Sequence, residues 1–189
     1  MNNPFKRAKP VNLAMAGLVV VVVAAVGISA VNSSHAARKP GGGGGGTPTP
    51  SVAQSSPQLY LSPAKATAAN GSNVTFQVRA NSGTASVNAV EADLSYPADK
   101  LDFVSIDDSA SAFSIKADGS GGNGTVKIAR GSTTPVTGDQ PVATVTFKAK
   151  ASKGSASLSF LSSSALVSNT TYKSIVSATA GAVVQFTNK

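Results

Sequence analysis

Two carboxylates two residues apart, Glu91 and Asp93, lie between the apolar residues Val90, Ala92 and Leu94. Side chains on an extended chain alternate between faces, so this spacing puts both acids on one side, where they can accept hydrogen bonds from a partner. The remaining clustered acids suggest less. Paired carboxylates can hydrolyse glycosides, but Asp107-Asp108 falls in a Ser-rich turn beside no aromatic subsite. Calcium needs a close run of oxygen ligands, and Asp107, Asp108, Asp118 and Asp139 form no such run, so capping of turns is their expected role. The chain has no Cys, and its only His, His35, stands next to an N-terminal apolar run. Ser–His and Cys–His catalysis and zinc binding therefore lack their usual groups. Neither an enzyme nor a metal or cofactor site is expected.

The elements that position Glu91 and Asp93 are short strands. Val90, Ala92, Leu94 and Tyr96 alternate with Ala89, Glu91, Asp93 and Ser95, the pattern of a strand buried on one face. After a Pro97-Ala98-Asp99-Lys100 turn, Leu101 and Phe103 take one side and Asp102, Val104 and Ile106 the other. Further runs follow the same rule. Leu59–Leu61 is short; Val74, Phe76 and Val78 point inward, as do Phe113 and Ile115 in 112–116, and Val126 and Ile128 in 125–130. Val145, Phe147 and Ala149, then Leu158 and Phe160, then Val184 and Phe186 complete the set. Turn chemistry fills the gaps, notably Asn70-Gly71, Asn81-Ser82-Gly83, the glycine-rich 118–124, Gly138-Asp139 and Lys153-Gly154. About nine strands at this spacing, with no helical period, predict an all-β sandwich.

The first part of the chain is of another kind. Lys6, Arg7 and Lys9 precede an uncharged run over residues 13–31, about long enough to cross a hydrocarbon core as a helix. Basic residues before such a run keep the start in the cytoplasm and send the rest outside. Residues 1–37 then form a basic tip and a membrane anchor. Ser34-His35-Ala36 also suits a signal peptidase, which would release a secreted domain after Ala36, although the run is longer than a usual signal core. No Glu stands near the start of the run, as a type IV pilin leader would have. Residues 38–57 hold six successive glycines and Thr47-Pro48-Thr49-Pro50, a disordered linker that joins a flexible hinge to a stiffer spacer. The glycines lack the Lys-Ser/Thr of a phosphate loop. Residues 58–189 are the folded domain.

Charge argues against nucleic acid. Of the net +8, five charges (Lys6, Arg7, Lys9, Arg38 and Lys39) lie before Gln58. Eleven basic and eight acidic side chains follow, scattered along the chain and not gathered in a patch. Asn73-Val74-Thr75 and Asn169-Thr170-Thr171 match the glycosylation tripeptide, a pattern common by chance.

Three segments in order resemble a cohesin domain. These are Glu91-Ala92-Asp93-Leu94-Ser95-Tyr96 with Lys100–Ile106 after its turn, Pro141–Lys150, and Gly154–Phe160. The resemblance spans roughly residues 59–186 and implies a nine-stranded jelly roll, in a superfamily shared with carbohydrate-binding modules. It departs at Tyr96-Pro97-Ala98-Asp99, where the family commonly has Tyr-Asp-Pro. By resemblance, one flat sheet face would bind a dockerin module on an exported protein. Its strands would be 89–95, 112–116, 125–130 and 156–161. Ala89, Glu91, Asp93, Ser114, Lys116, Lys127, Ser157 and Ser159 are the expected contact residues, with Glu91 as the hydrogen-bond acceptor. Ala89 stands where the family often has Asn. The alternative for Glu91 and Asp93 is that they only keep a solvated sheet soluble. Any calcium would belong to the partner, since this chain has no dockerin-like calcium loop.

Two other functions remain open. A polysaccharide could stack on exposed rings, but the chain has no Trp, and Tyr60 and Tyr172 are the only plausible platforms. A purely structural surface domain needs only the strands and the spacer.

Overall fold

Period-2 alternation over most of residues 58–187 produces strands and no helix in the computed structural model, which describes residues 56–188. The expected membrane span (13–31) and the linker up to Ser55 lie outside the described residues. Among the described residues there are twelve strands: β1 (Gln58–Ser62), β2 (Lys65–Ala69), β3 (Asn73–Asn81), β4 (Val87–Ser95), β5 (Leu101–Asp107), β6 (Ile115–Gly122), β7 (Thr125–Val136), β8 (Asp139–Ala149), β9 (Ser155–Phe160), β10 (Ala165–Ser168), β11 (Ala178–Ala180) and β12 (Ala182–Thr187). Five form one sheet in the order β11-β1-β3-β8-β5. The other runs β2-β12-β9-β4-β7-β6, with β10 also paired to β4.

Three of the twelve, β2, β10 and β11, lie outside the expected runs, which accounts for the difference from nine. The chain leaves β1 in one sheet and enters β2 in the other across Pro63, which has no amide hydrogen to offer a ladder. At the far end β11 and β12 change sheets in the same way at Gly181, where a Cβ would lie 2.0 Å from the Leu158 carbonyl oxygen, so no larger residue fits. Between β9 and β10 the residues 161–164 bulge away while both strands stay on β4.

The core forms where the inner faces of the two sheets meet. Val74, Phe76 and Val78 of β3, Val145 and Phe147 of β8, and Leu101 of β5 bury against Val90, Ala92 and Leu94 of β4, Val126 and Ile128 of β7, Leu158 of β9 and Val184 of β12. Tyr96 and Phe103 meet Phe147 edge-on, with ring centroids 4.9 and 6.4 Å apart, the geometry favoured by the ring quadrupoles. Truncating Phe147 would cost about 3–5 kcal/mol.

Two expectations fail, the first because a bulge changes the phase. In β5 the register slips between Phe103 and Ser105. Val104 is left exposed, and Ile106, expected on the face opposite Phe103, packs instead against the core. In β6 the strand begins only at Ile115, which is 48% exposed and not inward. The glycine-rich segment expected as a turn is mostly strand, and only Asn123-Gly124 turns. Gly121 is needed there because a Cβ would meet the Phe103 ring at 2.7 Å.

Candidate partner-binding face

The outer face of β10/β9, β4, β7 and β6 is a grid whose rows follow from register. Ala165, Glu91, Ala129 and Asp118 form one row. Val167, Ala89, Gly131 and Ile115 form the next. On the other side of Glu91, Asp93 pairs with Lys127 and Lys127 with Ser120. The first two rows carry mainly small or apolar groups and frame a shallow depression of about 260 Å³.

Glu91 stands in the middle of it. Among the described residues no hydrogen bond or ion pair engages its carboxylate. Its pKa is raised above the ordinary value, first by partial desolvation, then by the charges of Asp93 and Asp118, with Lys127 opposing. An exposed acid with apolar neighbours and no partner can accept hydrogen bonds from an incoming donor at little cost in broken contacts.

Asp93 corrects the expectation of an exposed acid. It does lie on the outward side of β4, yet it is only 4% exposed. The bulge between β9 and β10 covers it. The Ser163 hydroxyl donates to Oδ2 at 2.6 Å, and the Ser164 hydroxyl accepts from the Asp93 amide at 3.1 Å. Leu161 N donates to the Asp93 carbonyl at 2.7 Å, and Oδ1 is buried without a partner. Alternation gave the correct side, but it could not show that the edge of the sheet folds back over this side chain.

The other expected residues divide. Ala89, Glu91 and Lys127 come together at the centre, with Lys127 exposed. Lys116 is exposed on the rim, its Nζ 3.5 Å from the Asp108 carboxylate. Ser114 is exposed but precedes β6, so it belongs to the approach and not to a strand. Ser159 lies opposite Ser95, past the bulge, and Ser157 pairs with Val183 of β12, so neither borders the depression. The apolar members Ile115, Ala129, Ala165 and Val167 were not anticipated. The available signal was strands apolar on both faces, as in β10, where Leu166 is core and Val167 faces out.

A buried arginine fixes the rim. Arg130 is 6% exposed; its Nε and Nη2 both donate to the Phe113 carbonyl at 3.1 Å and its Nη1 to Asp108. It thereby ties the β5–β6 connection, and the start of β6 with Ile115, to the middle of the sheet. Desolvation pushes the Asp108 pKa up, but Arg130 and Lys116 outweigh it and the pKa is lowered. The other acids act locally. Asp107 accepts from Ser109 N at 3.0 Å, Asp118 from Gly119 N at 2.6 Å, and Asp139 from Arg79. Among the described residues no three acidic, His or Cys side chains gather as a metal site.

A two-sheet sandwich that turns a shallow, apolar-floored sheet face to solvent has the form of a binding module. The family model of the cohesin domain matches residues 59–185, and the chain belongs to that family. Cohesin domains are non-catalytic. A cohesin of Clostridium acetobutylicum is similar in structure at 16% identity and TM-score 0.62, covering 71% of this chain and 92% of that one. A non-cellulosomal cohesin from the archaeon Archaeoglobus fulgidus matches at 19% identity and TM-score 0.59, over 70% and 91%. A chain of a type I cohesin–dockerin complex from Clostridium thermocellum matches at 8% and 0.53, over 70% and 99%. At these identities the likeness concerns the fold. No curated protein sequence matches the chain.

Proposed function

We propose that this chain is a non-catalytic adaptor whose domain, residues 58–189, binds a dockerin-type module of an exported protein through the outer face of β10/β9-β4-β7-β6. The observation that carries this reading is Glu91, an acceptor without a partner, set among Ala89, Ala129, Ala165 and Val167 at the centre of that face. A partner surface with a hydroxyl or ammonium donor beside aliphatic groups would meet it. Family membership and the cohesin–dockerin complex among its structural relatives support the choice of partner. Any calcium requirement belongs to the partner.

In this reading residues 13–31 anchor the chain in the membrane, or serve as a signal cleaved after Ala36, and 38–57 hold the domain away from the surface. The domain acts outside the cytoplasm. Protease treatment of intact cells should degrade residues 58–189, and protection of the domain would sink this placement. For binding, immobilised full chain is offered calcium-loaded dockerin modules encoded in the same genome. Saturable binding weakened by Glu91→Ala supports the adaptor. Retention on cellulose or xylan, with no dockerin bound, would replace it with a polysaccharide-binding module.

A further inference from the structure

Eight described residues have φ in the left-handed region: six glycines, Asn123 and Tyr172. Glycine adopts this conformation freely and Asn readily, whereas a bulky side chain is an outlier there. Tyr172, at φ 55°, closes the turn that reverses the chain after β10. Its amide donates to the Ser168 carbonyl at 3.0 Å, and the Ser168 amide donates to the Lys173 carbonyl at 3.0 Å. The buried Ser168 hydroxyl, which lies 2.9 Å from the Thr170 hydroxyl, accepts from the amides of Thr170 and Thr171, both at 3.3 Å. This hydrogen-bonded turn requires one left-handed residue, where Gly or Asn would fit without strain.

The turn's own hydrogen bonds hold its backbone, but no side-chain contact of Tyr172 in the described domain offsets the strain. Tyr172 is 76% exposed, more than the other exposed large apolar side chains, and among the described residues no hydrogen bond or ring contact engages its side chain. The turn continues β10, whose Ala165 and Val167 wall the depression around Glu91, and the Asn169 amide ties it to the Ser86 carbonyl just before β4 at 3.1 Å. An exposed aromatic on the turn that continues the wall of an apolar patch supplies much contact area for the loss of only two rotatable bonds, the property that makes Tyr an interface anchor. Strain at an exposed turn, with no internal side-chain contact to balance it, is a reason to look for function.

We propose that Tyr172 is a specificity-determining contact of the partner-binding face, held out by its strained turn against an apolar surface of the dockerin-type module that covers Glu91. This rests on the binding reading given above. Continuity with the depression favours a protein over a sugar as the occupant.

The test compares wild-type full chain with Tyr172→Gly, Tyr172→Phe and Glu91→Ala, by thermal unfolding and by titration with the calcium-loaded dockerin modules of the same genome. Tyr172→Gly should raise Tm by ~2–5 °C through relief of strain and weaken dockerin binding about tenfold or more. Tyr172→Phe should keep the wild-type Tm and most of the affinity, because the ring makes the contact. Unchanged affinity in Tyr172→Gly, with Glu91→Ala impaired, overturns this proposal and leaves the binding face intact. A lower Tm in Tyr172→Gly overturns it by making the ring structural. Loss of xylan or cellulose retention in the Gly variant, with dockerin affinity kept, overturns it in favour of a sugar platform. If no dockerin binds the wild type, the adaptor reading fails and this inference with it.

Discussion

The two outer faces of the sandwich handle polarity in opposite ways. On the five-stranded sheet, Tyr60 donates to Asp139 at 2.6 Å, Arg79 Nε donates to Tyr60 Oη at 2.9 Å and to Asp139 at 3.1 Å, and Arg79 Nη1 donates to Gln77 at 2.6 Å. Desolvation, then the bond to Asp139, raises the Tyr60 pKa. Lys150 pairs with Asp102 at 3.0 Å. These groups already answer one another, so a partner arriving there would have to break bonds before making any. The seven-stranded face has small apolar groups and, among the described residues, an acid without a partner, while the well-bonded pair of buried Arg130 and Asp108 serves the scaffold. Self-satisfied polarity suits a face that remains in water; incomplete polarity over an apolar floor is what the proposed partner would cover.

The largest effect that would sharpen the contrast comes from bulk and charge at the centre of each face. Ala129→Arg should reduce dockerin affinity on the order of a hundredfold in titration calorimetry, whereas Thr146→Arg on the opposite sheet should leave it within about twofold. Equal losses would erase the distinction between the faces. Next comes the scaffold. Arg130→Leu strips the Phe113 carbonyl of both its side-chain donors and should cost about 2 kcal/mol in urea unfolding. Arg79→Leu, in a half-exposed pair, should cost about 1 kcal/mol or less. Glu91→Ala should weaken binding roughly tenfold with little change in Tm, the pattern of a group that acts only on a partner.

The smallest effect is in the pH dependence. Glu91 has a raised folded pKa, so its ionisation lowers stability as pH rises through and above its ordinary 4.5. Glu91→Gln should therefore raise Tm slightly at neutral pH and leave it unchanged well below that range. Asp108 has the opposite sign. Its lowered pKa means stability present above its ordinary 3.8 and lost as pH falls below it. Arg130→Leu should flatten that acid limb of a Tm–pH curve.

Much of the architecture was legible because alternation is a local signal. Val90, Ala92 and Leu94, or Val145, Phe147 and Ala149, reveal their buried side without knowledge of the partner strand. What remained hidden depends on distant segments. The bulges at Phe103/Ser105 and Lys116/Asp118 shift phase in response to the neighbouring ladders. The glycines of 118–122 resemble a turn because the sequence does not show that the Phe103 ring lies against Gly121. The candidate site was half legible. Alternation places Glu91 and Lys127, a serine loop seventy positions later covers Asp93, and Ile115 and Val167 escape it because an apolar side chain on a strand points to the core by that rule.

One feature of the topology matters under mechanical load. Gln58, where the folded domain begins, sits in β1 between β11 on one side and β3 on the other, and the Ser177 amide and hydroxyl both hold the Pro57 carbonyl, at 2.9 and 2.7 Å. Tension arriving from the preceding chain therefore pulls along a strand bonded on both flanks, not along a free edge. The hydrogen bonds of β1 would be loaded together in shear and not opened one after another like a zip. A domain pulled from its amino-terminal side while gripped on its β4 face would transmit force from one sheet of the sandwich to the other.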